Sequence, residues 1–407
     1  KDQYRGTPGG STYVVMTNNG RIDLSGDNSI GIYTNNGVIN NNTNINVTGN
    51  GSAGLFGENG TAITNSGNIN ISNNGVGIYA VSYQDPQNPE TTFGDGTISI
   101  VNNGSITTET SSKAIGIYAN NNKTGALRSS GTLNLANGLV DVSLSESGTG
   151  IYSENNTVIG GGTISVGENG TGIYAKNSDL NLSNLTLNLK GDNSLGIYLD
   201  SGSNLNMSGT NTANISGKNN ILFYLDSDGI FNQNFVINAA SDTTYSLAYL
   251  KNNKIAYDGT VVTNGDGALF YGTNSSITIN PTASLTSTGN NTVGVYVDGL
   301  YDNGNSDYEG INKGIINLKD NSAGLYAING ARLSNENAIS VGDMSIGMYN
   351  ENGSDVKNSG NITIGNSSVG ITADNVTSVE NIGDIFSLSE NATGIYSNSM
   401  NSTNILN

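Results

Sequence analysis

Apolar residues return along the chain at a regular interval, in a short motif of four residues. The motif is a small or apolar residue followed by glycine, an aliphatic residue and an aromatic residue. Clear copies have their fourth residue at Tyr33, Phe56, Tyr79, Tyr118, Tyr152, Tyr174, Tyr198, Tyr296, Tyr326, Tyr349, Thr372 and Tyr396, and degenerate copies at Tyr224, Tyr249 and Tyr271. Successive copies are mostly 22 to 26 residues apart. A fixed period of this length is typical of a solenoid.

Each repeat also contains a segment in which apolar and polar residues alternate. Segments 65–71 and 358–364 read Asn-Ser-Gly-Asn-Ile-Asn-Ile and Asn-Ser-Gly-Asn-Ile-Thr-Ile, which is the pattern of a half-buried strand. Asn-Gly pairs separate these segments, and both residues tolerate the positive φ of a tight corner. A single Asn-Gly pair also fits a hairpin turn. Because hairpins do not explain the period, we interpret these pairs as corners of a coil.

Short strands, tight corners and about 23 residues per turn predict an all-β protein, a parallel β-helix of about fifteen coils. We expect the right-handed form, because parallel crossover connections strongly prefer that hand. Residues 1–407 should form one β-helical segment. Asparagine side chains at the corners should hydrogen-bond from coil to coil, as in stacked amide ladders.

Alternation within the motif predicts which side chains face the core. The aliphatic position is never polar in the clear copies, so Ile78 and its equivalents should point inward. The aromatic position accepts Thr372, so the tyrosines should form a column on the exterior, on the same side of the strand as the glycine. Such a column either covers the bare backbone of neighbouring glycines or offers flat rings for stacking on carbohydrate.

Composition excludes several classes of function. The net charge is −18, so the chain lacks the basic footprint of a nucleic-acid-binding protein. The absence of Cys and His removes disulfides, thiolate metal sites and the Ser/His triad. No apolar run is long enough to span a membrane as a helix, so no direct membrane insertion of this segment is expected. We expect no cofactor and a monomer.

The repeats resemble a known family. Turns of the form Ser-x-Gly-Ile-Tyr-x-x-Asn, with Asn-x-Gly-x-Ile-x-Ile strands in an acidic, Asn-rich and Cys-free chain, are similar to passenger domains of type V (Va) autotransporters, and in particular to the large outer-membrane adhesins of fusobacteria. The resemblance covers residues 18–396 and identifies the architecture rather than a site.

The resemblance implies an extracellular, cell-surface location. It also implies a C-terminal barrel, absent from this sequence, that anchors the passenger in the outer membrane. The partners implied are host-cell receptor proteins, surface glycans or other bacterial cells. Because the chain starts without Met and ends inside a repeat, we expect it to be part of a longer passenger.

Three steps of the repeat are lengthened, and insertions on a solenoid often carry its binding residues. The predicted insertions are 82–96, 123–144 and 298–310, of which 123–144 alternates well enough to be extra strand. Aromatic-rich loops suit contact with a partner. The candidate partner-binding residues are Tyr83, Phe93, Tyr301, Asp302, Asp307 and Tyr308. Unselected variation in loop length is the alternative explanation.

The insertion 298–310 also collects carboxylates. Asp298, Asp302, Asp307 and Glu309 have the hard oxygen ligands that suit Ca²⁺, but their spacing matches no EF-hand. We therefore expect a solvated acidic loop and no metal site.

One pair of residues allows an enzyme hypothesis. Asp200 and Asp226 occupy the same position, two residues after the aromatic, in successive coils. Stacked about 5 Å apart, they would resemble the carboxylate pair of a retaining glycosidase. An exterior column of mixed charges is the simpler explanation and the one we prefer, and we expect no catalysis.

The sequence thus favours a surface adhesin passenger that displays binding loops on a stiff β-helix. A β-helical polysaccharide-active enzyme and a pure spacer without a ligand stay open as alternatives.

Overall fold

A computed structural model describes residues 14–83, 97–109, 111–122, 131–232, 235–240, 242–263, 266–301, 308–399 and 404–407. The chain divides into two compact units, Lys1–Thr186 and Leu187–Asn407. Each unit is a parallel β-solenoid, and together they contain about fifteen turns. The described residues contain no helix. The predicted all-β parallel solenoid is therefore confirmed.

Each complete turn of the first unit contains an anchor strand, which carries the glycine–aliphatic–tyrosine motif, then a second and a third strand. The anchor strands are Ile30–Asn35, Ala53–Glu58, Val76–Tyr83, Ile115–Asn122, Thr149–Glu154 and Thr171–Lys176. The second strands are Val14–Asn18, Gly37–Asn41, Ala62–Asn65, Ser99–Asn102 and Gly131–Asn134, and the third are Ile22–Leu24, Ile45–Val47, Asn68–Ile71, Ser105–Thr108 and Leu139–Val142. Strand Asn156–Val166 spans both positions, Ser111–Ser112 pairs with Ser145–Glu146, and Asp179–Leu189 contains the boundary between the units.

The second unit repeats this order. Its anchor strands are Leu195–Leu199, Asn220–Leu225, Tyr245–Lys251, Gly267–Thr273, Thr292–Asp298, Ala323–Gly330, Ile346–Gly353, Val369–Asp374 and Thr393–Asn398. The second strands are Asn204–Ser208, Gly229–Phe231, Lys254–Tyr257, Ser276–Ile279, Gly310–Asn312, Leu333–Asn335, Asp355–Asn358, Ser378–Asn381 and Asn404–Leu406. The third are Asn211–Ile215, Phe235–Ala239, Thr260–Thr263, Ser284–Ser287, Ile315–Asn317, Ala338–Val341, Asn361–Ile364 and Ile385–Phe386.

The aliphatic residue of the motif fills the core, as predicted. Ile78, Ile173 and Leu325 are fully buried, while the tyrosine that follows each of them is half-buried on the outside. Apolar burial of this kind is the main favourable term in folding. The core column therefore defines the register that places the tyrosines above one another.

The predicted position of the motif glycine was wrong, because the glycine faces the core together with the aliphatic residue. A Cβ on Gly324 would contact the backbone carbonyl oxygen of Gly347 in the next turn and Cγ2 of the core residue Ile339. In the degenerate copies the same position holds Leu222, which is fully buried. The strand thus bends at the glycine instead of alternating through it, and the tyrosine rings do not cover the glycine from outside.

Amide ladders join the turns, as predicted. In the first unit Asn18 donates to Asn41, Asn41 to Asn65 and Asn65 to Asn102, at 2.8 to 2.9 Å between Nδ2 and Oδ1. In the second unit a ladder of the same kind runs through Asn312, Asn335, Asn358, Asn381 and Asn407. Most of these amides are buried, so each needs the partner that the next turn supplies.

A second set of asparagines occupies the corner position three residues after the aromatic in most turns. Asn252, Asn274 and Asn329 have φ values of 59°, 46° and 57°, which is the left-handed region that asparagine tolerates. The corresponding corner of the turn between Asn274 and Asn329 holds Gly299, with φ of 83°. This exterior column is called the corner column below.

Candidate functional site

The exterior tyrosines of the first unit stack on one another. From Tyr79 through Tyr118 and Tyr152 to Tyr174 the ring centroids are 4.7 to 5.2 Å apart and the planes differ by 6°. Before them Tyr33, Phe56 and Tyr79 make edge-to-face contacts. These rings are called the first tyrosine column.

The second unit has a column of its own. From Tyr249 through Tyr271, Tyr296 and Tyr326 to Tyr349, centroids are 4.5 to 5.4 Å apart and planes differ by 14° to 19°. Tyr198 and Tyr224 precede this run with more tilted contacts. These rings are called the second tyrosine column.

Stacking has a consequence for ligand binding. Each ring in the interior of a stacked run turns both faces toward its neighbours, so its ring edges and hydroxyl group are what it offers to the solvent. A sugar ring would need a free aromatic face. The interior rings of the stacked runs are therefore poorly arranged for stacking on carbohydrate.

Carboxylates two residues after the aromatic position, in the same turn or in the next one, accept hydrogen bonds from several of the hydroxyl groups. Tyr33 donates to Glu58 at 2.7 Å and Tyr152 donates to Glu154 at 2.8 Å. Burial, followed by the hydrogen bond to Glu58, raises the pKa of Tyr33 to about 12. Burial and Glu154 likewise raise the pKa of Tyr152. The phenols consequently stay neutral at physiological pH.

A polar groove lies beside the second tyrosine column, where the predicted insertion 298–310 begins. Asn252, Asn274 and Asn329 of the corner column line it, together with the segment from Asp298 to Tyr301. A Cβ at position 299 would contact Oδ1 of Asn274, and the φ of 83° at this corner favours glycine. The groove exists because the corner column lacks one amide at Gly299 and the inserted segment leaves the coil at that point.

Tyr301 fixes one side of the groove. Its hydroxyl group donates to the carboxylate of Asp228 at 3.0 Å, although the two residues are 73 positions apart. On the opposite side Nδ2 of Asn329 donates to Oδ1 of Asp298 at 2.7 Å. Amide, carboxylate and phenol groups therefore converge on one concave surface, which suits a polar partner group.

The end of the same insertion is buried rather than solvated. Glu309 is 1% exposed and pairs with Arg332 of the next turn, at 2.9 Å between Oε1 and Nη2. The expectation that Glu309 belongs to a solvated acidic loop was wrong, and its carboxylate is committed to the guanidinium. Within the ranges that the structure describes, no group of three or more His, Cys, Asp or Glu side chains is arranged to hold a metal ion.

The structure places only some of the predicted partner-binding residues. Tyr301 lines the groove. Tyr308 is half-buried, and burial, with Asp355 as the next contribution, raises its pKa. Phe93, Asp302 and Asp307, and the side chain of Tyr83, lie outside the described residues, as does most of insertion 82–96.

Insertion 123–144 is described from residue 131 onward. There, strands Gly131–Asn134 and Leu139–Val142 pair with the turns on either side. The described part of the insertion therefore forms regular strands of the solenoid.

Sequence reasoning missed Asn252, Asn274 and Asn329, which line the groove, and Asp228, which accepts the hydrogen bond of Tyr301. The signal that could have found three of them is the position three residues after the aromatic, which reads Asn252, Asn274, Gly299 and Asn329 in successive turns. The contact of Asp228 depends on how the inserted segment folds back, which no periodicity encodes.

Asp200 and Asp226 follow paired residues of adjacent turns, since Leu199 pairs with Leu225. The carboxylate of Asp200 accepts hydrogen bonds from the backbone N–H of Gly202 and the hydroxyl group of Ser203. Asn253 donates to Asp226 at 3.4 Å. These carboxylates take part in local turn and inter-turn contacts.

Comparison with known proteins gives a limited result. Neither a family model nor a curated protein matches the chain. A structural similarity links it to a chain in the cryo-EM structure of the Vag8-C1 inhibitor complex, with 13% identity, 95% of this chain and 100% of that chain covered, and a TM-score of 0.30. A similarity this weak supports no argument about this protein.

In the described part of the chain, no helix is long and apolar enough to cross a membrane.

Proposed function

We propose that the chain is part of a cell-surface adhesin passenger of the type V autotransporter kind, which presents a partner-binding groove on a β-solenoid. The repeat motif resembles that family, and the solenoid fold agrees with the resemblance. The partner would be a host-cell receptor protein or a surface glycan. Other bacterial cells are a further possible target. The chain would act by binding and not by catalysis.

The observation that carries the proposal is the groove at Gly299. The turns that supply Asn252, Asn274 and Asn329 have an asparagine at this corner, whereas this turn has Gly299, and the chain continues from it to Tyr301, which bonds to Asp228. The groove lies where the sequence interrupts the repeat, and polar groups converge in it. The turns beneath it are joined by hydrogen-bonded asparagine ladders. A rigid scaffold under a polar concave surface is the usual setting of a binding site.

The test is the binding of the purified chain to epithelial cells and to a mixed glycan array. Saturable binding of the folded chain supports the proposal. The same glycans should be analysed for new reducing ends, and cleavage abolished by Asp226→Asn would replace the proposal with the glycosidase alternative.

A spacer role is the second candidate, and a specific observation favours it. The tyrosine columns and the buried amide ladders bond turn to turn, which is the kind of contact that stiffens a spacer. A well-folded chain that binds neither cells nor glycans would assign this segment to spacing alone.

A further inference from the structure

The stacked runs bring phenol rings into contact over several turns. Five rings in the second unit, from Tyr249 to Tyr349, follow one another at 4.5 to 5.4 Å, and four in the first unit, from Tyr79 to Tyr174, at 4.7 to 5.2 Å. Near-parallel planes at these distances put the π systems of neighbouring turns in van der Waals contact. Electron exchange between two rings is fast at contact and falls off exponentially as they separate.

The composition makes tyrosine the side chain at which a one-electron oxidation of this chain would end. The chain has 20 Tyr but no Trp and no Cys, the other side chains that most readily lose one electron. Five Met residues complete the set of oxidisable side chains, and Met348, next to the column at Tyr349, is fully buried. If an oxidant removed one electron elsewhere in the chain, a tyrosine phenol would therefore be the group that most readily replaces it and becomes the radical.

A phenol must release its proton when it loses an electron, and the columns have acceptors for that proton. Glu351 accepts the hydrogen bond of Tyr349 at 3.2 Å, and Glu154 that of Tyr152 at 2.8 Å. Because each carboxylate already accepts the hydrogen bond of its phenol, the proton can pass along that bond without either residue moving. The protein thus has both parts of a proton-coupled oxidation within hydrogen-bond distance.

We propose that each tyrosine column conducts single oxidising equivalents from turn to turn, so that attack by a one-electron oxidant such as a peroxyl or nitrogen dioxide radical is spread along the solenoid. The oxidant gains one electron from a ring, and the phenolic proton passes to the carboxylate or to water. The neighbouring ring then gives an electron to the tyrosyl radical, which regains a proton while the donor loses one. One O–H bond is restored for each one lost, until a reductant in solution ends the sequence.

The absence of cysteine allows a direct test in the full chain. In a Lys251→Cys variant, a photo-oxidant is attached at position 251, beside Tyr249 at the start of the five-ring run, and is triggered by a flash. Tyrosyl radicals are trapped with a spin trap and located by mass spectrometry of the peptides. We expect adducts along the run as far as Tyr349.

The decisive variant replaces Tyr271, Tyr296 and Tyr326 by Phe, which keeps the stacked rings but removes the intermediate phenols. We expect the adduct at Tyr349 to be lost, while circular dichroism and thermal melting stay unchanged. The matched control makes the same change at Tyr118, Tyr152 and Tyr174 and should leave the Tyr349 adduct intact. An undiminished Tyr349 adduct in the first triple variant, or adducts at Tyr249 alone in the parent, would overturn the proposal.

Discussion

Arg332 clamps the buried carboxylate of Glu309 from the next turn of the second unit. The guanidinium donates to both carboxylate oxygens, and the backbone N–H of Arg332 donates to Oε2 at 2.8 Å. The pair closes the coil where the inserted segment returns to it. Removing Arg332 would leave the carboxylate of Glu309, whose side chain is 2% exposed, without its guanidinium partner.

Arg332→Ala should therefore lower the free energy of unfolding by about 3–5 kcal/mol, since breaking a buried pair leaves an uncompensated charge. Replacing both Glu309 and Arg332 by Leu should cost far less. Lys357→Ala is the control, because its surface pair with Glu380 is about one-third exposed and should contribute far less to stability. Denaturant unfolding measures all three, and a double variant as unstable as Arg332→Ala would contradict the assignment.

The inward glycine gives a second prediction. Gly324→Ala places a methyl group against the carbonyl oxygen of Gly347 and should destabilise the chain by about 1–3 kcal/mol, as overpacking does. Gly394 holds the same motif position but has nothing within 4 Å of its Cβ site. Gly394→Ala should change stability by less than about 1 kcal/mol. Equal losses in thermal melts of the two variants would show that the glycine does not face the core.

The buried ladder gives a third prediction. Asn335→Leu removes an acceptor of Asn312 and the donor to Asn358, and leaving Oδ1 of Asn358 without that donor should cost about 1–3 kcal/mol. Asn68→Leu is the comparison, because Asn68 is an exposed asparagine that donates to Asn44 on the outside of the coil. That change should stay within about 0.5 kcal/mol. Chemical denaturation of both variants checks the difference.

The tyrosine columns predict loss of stability at alkaline pH. Burial raises the pKa of Tyr296 to about 12, above the ordinary value of 10.0, so the folded chain keeps a proton that the unfolded chain releases. Stability from this group is complete below pH 10.0 and falls as the pH rises toward 12. Phenolate absorbance and circular dichroism should change together over this interval. Full ionisation of the tyrosines at pH 10 in a folded chain would contradict the burial of the column.

Sequence periodicity predicted the features that repeat. The 23-residue period located Ile78 in the core, Tyr79 outside and the amide ladders at the turns, because each of these follows from stacking equal coils. The inward glycine could not be read from strict alternation, since it depends on the carbonyl oxygen of the next turn. Ring orientation was not readable either, because one column position allows stacked and edge-on rings alike.

The candidate site was only partly predictable for the same reason. Insertion 298–310 was visible as a lengthened step, and Tyr301 was among the residues chosen from it. The pairing of Glu309 with Arg332 was in principle readable, because the two residues are one 23-residue turn apart and opposite in charge. The reach of Tyr301 to Asp228 is a long-range contact of a non-repeating segment, and sequence spacing does not encode it.

The central claim is that the groove at Gly299 is where this solenoid contacts its partner. The most direct measurement is the equilibrium binding to epithelial cells and to the glycan array of three variants: Tyr301→Ala, Asn274→Ala and Asn375→Ala. Asn274 and Asn375 are corner asparagines with positive φ, so their replacements strain the backbone alike, but only Asn274 lines the groove. We predict that binding is lost in the first two variants and retained in Asn375→Ala. Equal binding by all three would contradict the assignment of the groove.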